Sequence, residues 1–187
     1  MRDLPDDFQL EQLRAIIAYL PKDKKIFAID VGAHRGIWTK EMLKTFGVVT
    51  AIEPSDLYKL IDKRANVINA AVGSKTGRCS LAEGKKNTGQ KHVVAGKDIK
   101  MITLDSLNLT PDFIKIDVEG MEYDVLVGAK ETIERYKPYI LIEEANLSER
   151  YGCDPEKARR LLKRLGMKLL VTFHMLPEKD INTLWGW

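Results

Sequence analysis

Ile26-Phe27-Ala28-Ile29-Asp30-Val31-Gly32-Ala33-His34-Arg35-Gly36-Ile37-Trp38 decides how this chain is to be read. Ile26 to Ile29, with Val31, make an apolar run, the pattern of a central strand covered on both faces. The run carries Asp30 near its end and is followed by Gly32 and Gly36, and the segment from there to Phe46 reads as a helix stopped by Gly47. A strand that feeds a glycine-bearing turn into a helix lets backbone approach a nucleotide-like ligand at the helix N-terminus.

Which ligand follows from the spacing. The dinucleotide fingerprint G-x-G-x-x-G needs its second glycine so that the pyrophosphate can come close. In Gly32-Ala33-His34-Arg35-Gly36 that place is taken by His34, whose bulk argues against NAD or FAD. A ligand without a diphosphate, such as S-adenosylmethionine (SAM), fits an Asp-x-Gly-x-x-x-Gly turn better.

Length and composition set the frame. With 187 residues, 44% hydrophobic and 30% charged, the chain reads as one α/β domain, residues 1–21 an N-terminal helix and 22–187 the core. A net charge of +3 is too small to demand a polyanionic partner. Cys79 and Cys153 are far apart and in no metal-ligand spacing. No apolar stretch is long enough for a membrane span and the N-terminus lacks a signal peptide's apolar core, so a reduced, cytoplasmic protein is expected.

Outward from the opening stretch, Phe8, Leu10, Leu13, Ile16, Ile17 and Leu20 predict a helix over 6–20, ended by Pro21. Val48–Pro54 is a second apolar strand, and Ser55 can cap a helix carrying Leu57, Leu60 and Ile61. Residues 66–72 predict a third strand ended by Gly73. Glycines 73, 77, 84, 89 and 96 then punctuate short segments that predict a β-hairpin insertion at about 74–100. Lys75, Arg78, Lys85, Lys86, Lys91, Lys97 and Lys100 outnumber Glu83 and Asp98 there, as a solvated hairpin or an anion-binding patch would have it. A fourth strand is predicted at 113–118, then a helix from Glu119 and Gly120 with Met121, Val125, Ala129 and Ile133 on one face. A fifth strand covers 139–144. Asp154 as N-cap, Pro155 at the first helical position and Gly166 beyond the end mark the next helix. Residues 167–173 predict a sixth strand, with Ile181–Trp187 pairing to it.

Four strands end in acids: Asp30, Glu53, the pair Asp117 and Glu119, and the pair Glu143 and Glu144. In a parallel sheet the carboxyl ends share one edge, where ligands bind. Like charges crowd there unfavourably unless a ligand uses them. Asp30 can face the positive methionine end of SAM, and Gly32 and Gly36 let backbone amides near it. Glu53, followed by Pro54, can accept both ribose hydroxyls, a geometry that serves NAD equally. Asn69, Ala71 and Val72 end the third strand where adenine would lie, although plain packing explains Ala71 and Val72 as well. Methyl transfer is a displacement at a sulfonium, so alignment is the main task. A hydroxyl acceptor also needs its proton taken, and Asp117, Glu119, Glu143 and Glu144 are placed for that. Asp117 with Glu143 or Glu144 and Asn146 could instead hold a divalent cation such as Mg²⁺. Lys115 either faces away or pairs with an acid.

Assembled in this order, the residues resemble the FkbM family of SAM-dependent methyltransferases. The resemblance runs through Ile29–Thr39, Ile52-Glu53-Pro54, Asn69–Gly73 and Thr103-Leu104-Asp105-Ser106-Leu107. Its most specific block is Pro111-Asp112-Phe113-Ile114-Lys115-Ile116-Asp117-Val118-Glu119-Gly120-Met121-Glu122. It implies a three-layer, Rossmann-like class I methyltransferase sheet, mostly parallel and of about seven strands. It also implies O-methylation, often of sugar or natural-product hydroxyls. SAM binding is carried onto Asp30, Gly32, Gly36, Glu53 and Asn69–Val72, with Ala33, His34 and Pro54 in the same turn and strand end. His34 departs from the asparagine common in the family. The expected acceptor is a small molecule or carbohydrate, met by the hairpin, the N-terminal helix or Trp185 and Trp187. Two other readings stand beside it: a nucleic-acid methyltransferase using the basic hairpin and helix, and a SAM-binding module without catalysis.

Overall fold

The computed structural model describes residues 6–83, 91–144, 151–152, 154, 156–174 and 181–187. Gly84, Lys85, Lys86, Gly89, Asn146, Cys153 and Pro155, each given a part above, lie outside the described residues. The opening stretch forms strand β1 (Phe27–Val31), with parallel neighbours β2 (Val48–Ile52) and β7 (Phe113–Ile116). β3 (Asn66–Ile68) lies outside β2, and β8 (Tyr139–Glu144) outside β7. The last strand, β10 (Ile181–Gly186), runs antiparallel between β8 and β9 (Lys168–His174). The seven-stranded order is therefore β3-β2-β1-β7-β8-β10-β9.

Helices cover both faces because the strands alternate apolar residues to each side. Ala28, Val49, Ala51, Phe113, Leu141 and Leu184 pack on one side against α1 (Asp6–Tyr19) and α2 (Ile37–Met42). Leu13, Ile16, Ile17 and Leu20 supply α1's buried stripe, and Arg14 binds Glu41 of α2 at 2.9 Å. On the other side Ile29, Val31, Ile114, Ile116, Ile140 and Ile142 meet α3 (Glu122–Val127), α4 (Lys130–Tyr136) and α5 (Lys157–Arg164). Among the described residues no helix is long and apolar enough to cross a membrane.

Several expected elements are cut differently. The strand expected over 66–72 splits at Asn69, whose amide donates to the Glu53 and Pro54 carbonyls at 2.9 and 3.1 Å and turns the chain. Its second half, β4 (Ala71–Val72), joins β5 (Gly77–Glu83) and β6 (Lys91–Ile102) in a separate sheet of order β4-β6-β5. The expected hairpin is thus present, and Val72, Ile102 and Leu104 anchor its base in the core. The single helix expected after Gly120 breaks at Gly128, where a Cβ would stand 2.1 Å from the Gly73 carbonyl oxygen. Asp105 then restarts it as α4, accepting the N–H groups of Glu131 and Thr132. Ser55 does cap, through Leu57 N–H, but the helix it opens is a single 3₁₀ stretch, Asp56–Leu60.

Candidate functional site

The parallel register brings the acids to one edge. Asp30 lies beside Lys115 across β1 and β7, and Lys115 beside Leu141 across β7 and β8. Residues of one parity share a face, so Asp30, Lys115, Asp117 and Glu143 turn toward α2. Lys115 is the hub of this set. Its Nζ stands 3.0 Å from Asp117 Oδ2, 3.6 Å from Asp30 Oδ1 and 4.9 Å from the Trp38 ring centre. Burial works against its charge, but Asp117, Asp30 and Glu143 together outweigh that and hold its pKa above the ordinary lysine value. A buried ammonium is tolerated only with such partners. Of the two expectations for Lys115, pairing with an acid is the one observed. The strand period, Phe113-Lys115-Asp117, was the available signal.

Asp30 is fully buried, with Thr39 donating to its Oδ2 at 2.6 Å. Its other oxygen, Oδ1, has Lys115 Nζ 3.6 Å away and no hydrogen-bond partner among the described residues. The turn after β1 is self-contained. The N–H groups of Gly32 and Ala33 both donate to the Ile52 carbonyl, and that of Gly36 to Ala33. These three amides are therefore used within the protein, and the glycines let the turn pack directly against the Asp117 carbonyl and Ile61. Gly32 sits at φ +80° with its missing Cβ 1.7 Å from the Asp117 carbonyl oxygen, so no other residue fits there. His34 also has positive φ, at +50°. Partial burial lowers its pKa, Arg35 adds to that, and Glu53 and Asp117 oppose it.

Glu53 is where turn and strand end meet. Its Oε2 accepts His34 N–H at 2.9 Å and its Oε1 accepts Ser55 N–H at 2.8 Å. Each carboxylate oxygen has a second lone pair, so both can still accept a hydroxyl. That is the requirement for a ribose diol, and the excess of carboxylates over Lys115 along this edge suits a cationic sulfonium and ammonium. The residues present fit SAM on these two counts.

The remaining expected members are engaged by the protein's own groups. Asn69 spends its amide on the Glu53 and Pro54 carbonyls, while Ala71 and Val72 are buried in the second sheet. Glu144 lies on the opposite sheet face, 2.7 Å from Arg159 and accepting Thr183 Oγ1–H at 2.5 Å. Glu144 therefore leaves the acid set, and with it one form of the divalent-cation site. Among the described residues no group of three His, Cys, Asp or Glu is arranged to hold a metal. Trp185 is fully buried, and Trp187 donates to the Pro138 carbonyl at the other end of β8. Both tryptophans are core or edge packing, not acceptor contacts.

Glu122, quoted above only as part of a motif, proves to be a buried member of the site's turn. Its Oε1 accepts Gly120 N–H at 2.9 Å, and Glu119 and Gly120 before it have φ of +57° and +108°. Burial pushes its carboxyl up to about 7, against the lowering effect of backbone N–H groups and with help from Asp117. The spacing Glu-Gly-x-Glu was its only sequence signal.

Residues 30–169, about three quarters of the chain, match the methyltransferase FkbM domain family. No match stands out among curated protein sequences. Among solved structures the chain is similar to methyltransferase FkbM from Methylobacillus flagellatus (TM-score 0.62, 21% identity), covering 88% of this chain and 44% of that one. It thus spans less than half of that protein's length. It is similar too to a SAM-dependent methyltransferase from Leishmania major (TM-score 0.56, 14% identity, 96% and 72% covered). A third is the ribosomal protein L11 methylase from Lactobacillus delbrueckii subsp. bulgaricus (TM-score 0.57, 11% identity, 96% and 77% covered). At these identities the structures speak for the fold alone, and the strand order is the one expected of a class I methyltransferase sheet.

Proposed function

The chain belongs to the FkbM methyltransferase domain family, and from that premise we propose that it transfers the methyl group of SAM to a hydroxyl of a sugar or small metabolite. The observation that carries the cofactor half is Glu53, a buried carboxylate fixed by His34 and Ser55 N–H groups with lone pairs left for a ribose diol. SAM, when bound, supplies an activated methyl on a sulfonium. The chain's own residues do the rest. Gly32 and Gly36 let the turn after β1 pack directly against the Asp117 carbonyl and Ile61. Asp117, Glu119 and Glu143 are the acids from which a base for the hydroxyl proton is drawn. Of these, Asp117 is ion-paired with Lys115, at 3.0 Å.

Calorimetry with SAM, S-adenosylhomocysteine and NADH tests the cofactor. Binding of NADH without SAM would sink the proposal. Labelled SAM screened against sugars, nucleic acids and cell extract then tests the acceptor. SAM binding with no transfer to any of them would favour a binding module. A nucleic-acid acceptor has one observation in its favour: Lys157, Arg160, Lys163 and Arg164 line an open groove of about 600 Å³. Arg160 is already bound to Asp154, however, and the acids at the site repel phosphate. Steeply salt-dependent binding of RNA or DNA would revive that reading.

A further inference from the structure

We infer that Glu122 is a positioning residue: its carboxylate fixes the left-handed turn that carries Asp117 and Glu119, and through Gly32 the SAM-binding turn as well. The inference rests on the methyltransferase reading. It begins with the backbone. Two consecutive residues at positive φ, one of them the non-glycine Glu119, are a conformation an L-residue does not adopt unless its surroundings impose it. What imposes it is Glu122, two residues on. It is itself buried, and its carboxylate takes the Gly120 N–H at 2.9 Å. The backbone N–H groups of Gly120, Glu122 and Val118 pull its pKa down, although burial outweighs them and leaves it at about 7. A carboxylate set among backbone N–H groups closes the turn as an external strand would close a sheet edge.

The second link is contact. The Asp117 carbonyl oxygen lies against Gly32 so tightly that a Cβ would stand 1.7 Å away. Asp117 N–H is held by the Val31 carbonyl. The two turns are therefore one assembly, and a change of path at 118–120 is transmitted to the wall of the cofactor site. Lys115 adds rigidity from below, binding Asp117 by its side chain.

The experiment compares SAM and S-adenosylhomocysteine affinity by calorimetry in the wild type, Glu122→Ala, Glu122→Gln and Val125→Ala. Val125 is buried on the same helix, and alanine there keeps its backbone bond to Met121 while thinning the core, so it reports plain destabilisation. Glu122→Ala is expected to weaken both ligands about tenfold and to speed amide exchange at Gly120 by a similar factor. Glu122→Gln keeps one acceptor oxygen toward Gly120 and should lie between, about threefold weaker. Val125→Ala should lower the melting temperature with affinity unchanged. Affinity within twofold of wild type in Glu122→Ala, with Gly120 exchange unaltered, would overturn the inference. So would an equal loss in Val125→Ala. If the alanine variant does not fold, the glutamine variant decides by the same two readouts, unchanged values overturning the inference. A wild type that binds neither ligand removes the methyltransferase reading itself, and this inference with it.

Discussion

Two left-handed turns meet at the carboxyl edge of the sheet, one after β1 with Gly32, His34 and Gly36 at positive φ, the other after β7 with Glu119 and Gly120. Both are closed by a glutamate that accepts a backbone N–H at 2.9 Å. The glutamates differ in origin. Glu53 reaches the first turn from the end of β2, so that turn keeps its shape only while β1 and β2 hold register. Glu122 closes the second turn from two residues away and depends on no neighbouring strand. They differ in reach too. Both are buried, but Glu53 accepts N–H groups from two segments, His34 and Ser55, whereas Glu122 accepts that of Gly120 within its own turn. The first turn is held from outside, by a neighbouring strand; the second is held from within.

The contact between the turns offers the most drastic way to break this arrangement. Gly32→Ala would drive a methyl into the Asp117 carbonyl and strain φ +80°. It should cost about 4 kcal/mol or more in urea unfolding, or yield no folded protein. Gly77→Ala, where nothing lies within 4 Å, should stay within about 0.5 kcal/mol of wild type. A mild effect at Gly32 would mean the turns are not in contact.

The second turn is separated from the first by pH. Glu122 binds its proton more tightly in the folded chain, at about 7, than at the ordinary carboxyl value of 4.5. Its contribution to stability is thus complete below about pH 4.5 and fades as pH rises through 7. Between pH 5 and 8 the wild type should lose about 2.5 kcal/mol relative to Glu122→Gln, whose profile lacks this slope. Parallel profiles in urea titrations across that range would show that Glu122 ionises normally.

For the first turn, Glu53→Ala should weaken SAM by roughly 1–3 kcal/mol in calorimetry, with unchanged affinity rejecting the ribose contact. The smallest effect is expected away from both turns. Asp105→Ala removes the acceptor of two N–H groups at the start of α4 and should cost about 1 kcal/mol without altering SAM affinity.

The same contrast explains what the sequence made legible. β1, its glycine turn and Glu53 stand out because an apolar run, two glycines and a terminal acid are local signals. The seven-strand sheet followed from them and from the family resemblance. Glu122 and the hub role of Lys115 did not stand out, since burial of a charge is decided by residues far along the chain. That the Asn69 side-chain amide would be used on the Glu53 and Pro54 carbonyls was equally hidden, because a strand pattern says nothing of where the chain turns. The motif residue Asp112 is another case: it fastens the N–H groups of Ile26 and Phe27 at the start of β1, remote from the ligand edge.

One feature of the sheet bears on how the chain comes to fold. Among the described residues β9 pairs only with β10, which follows it in the chain yet sits inside it, against β8. During synthesis residues 168–174 must therefore wait as an unpaired edge until residues 181–186 have emerged and found their place. That end of the sheet closes late and all at once, a moment when an exposed strand is open to the wrong neighbour.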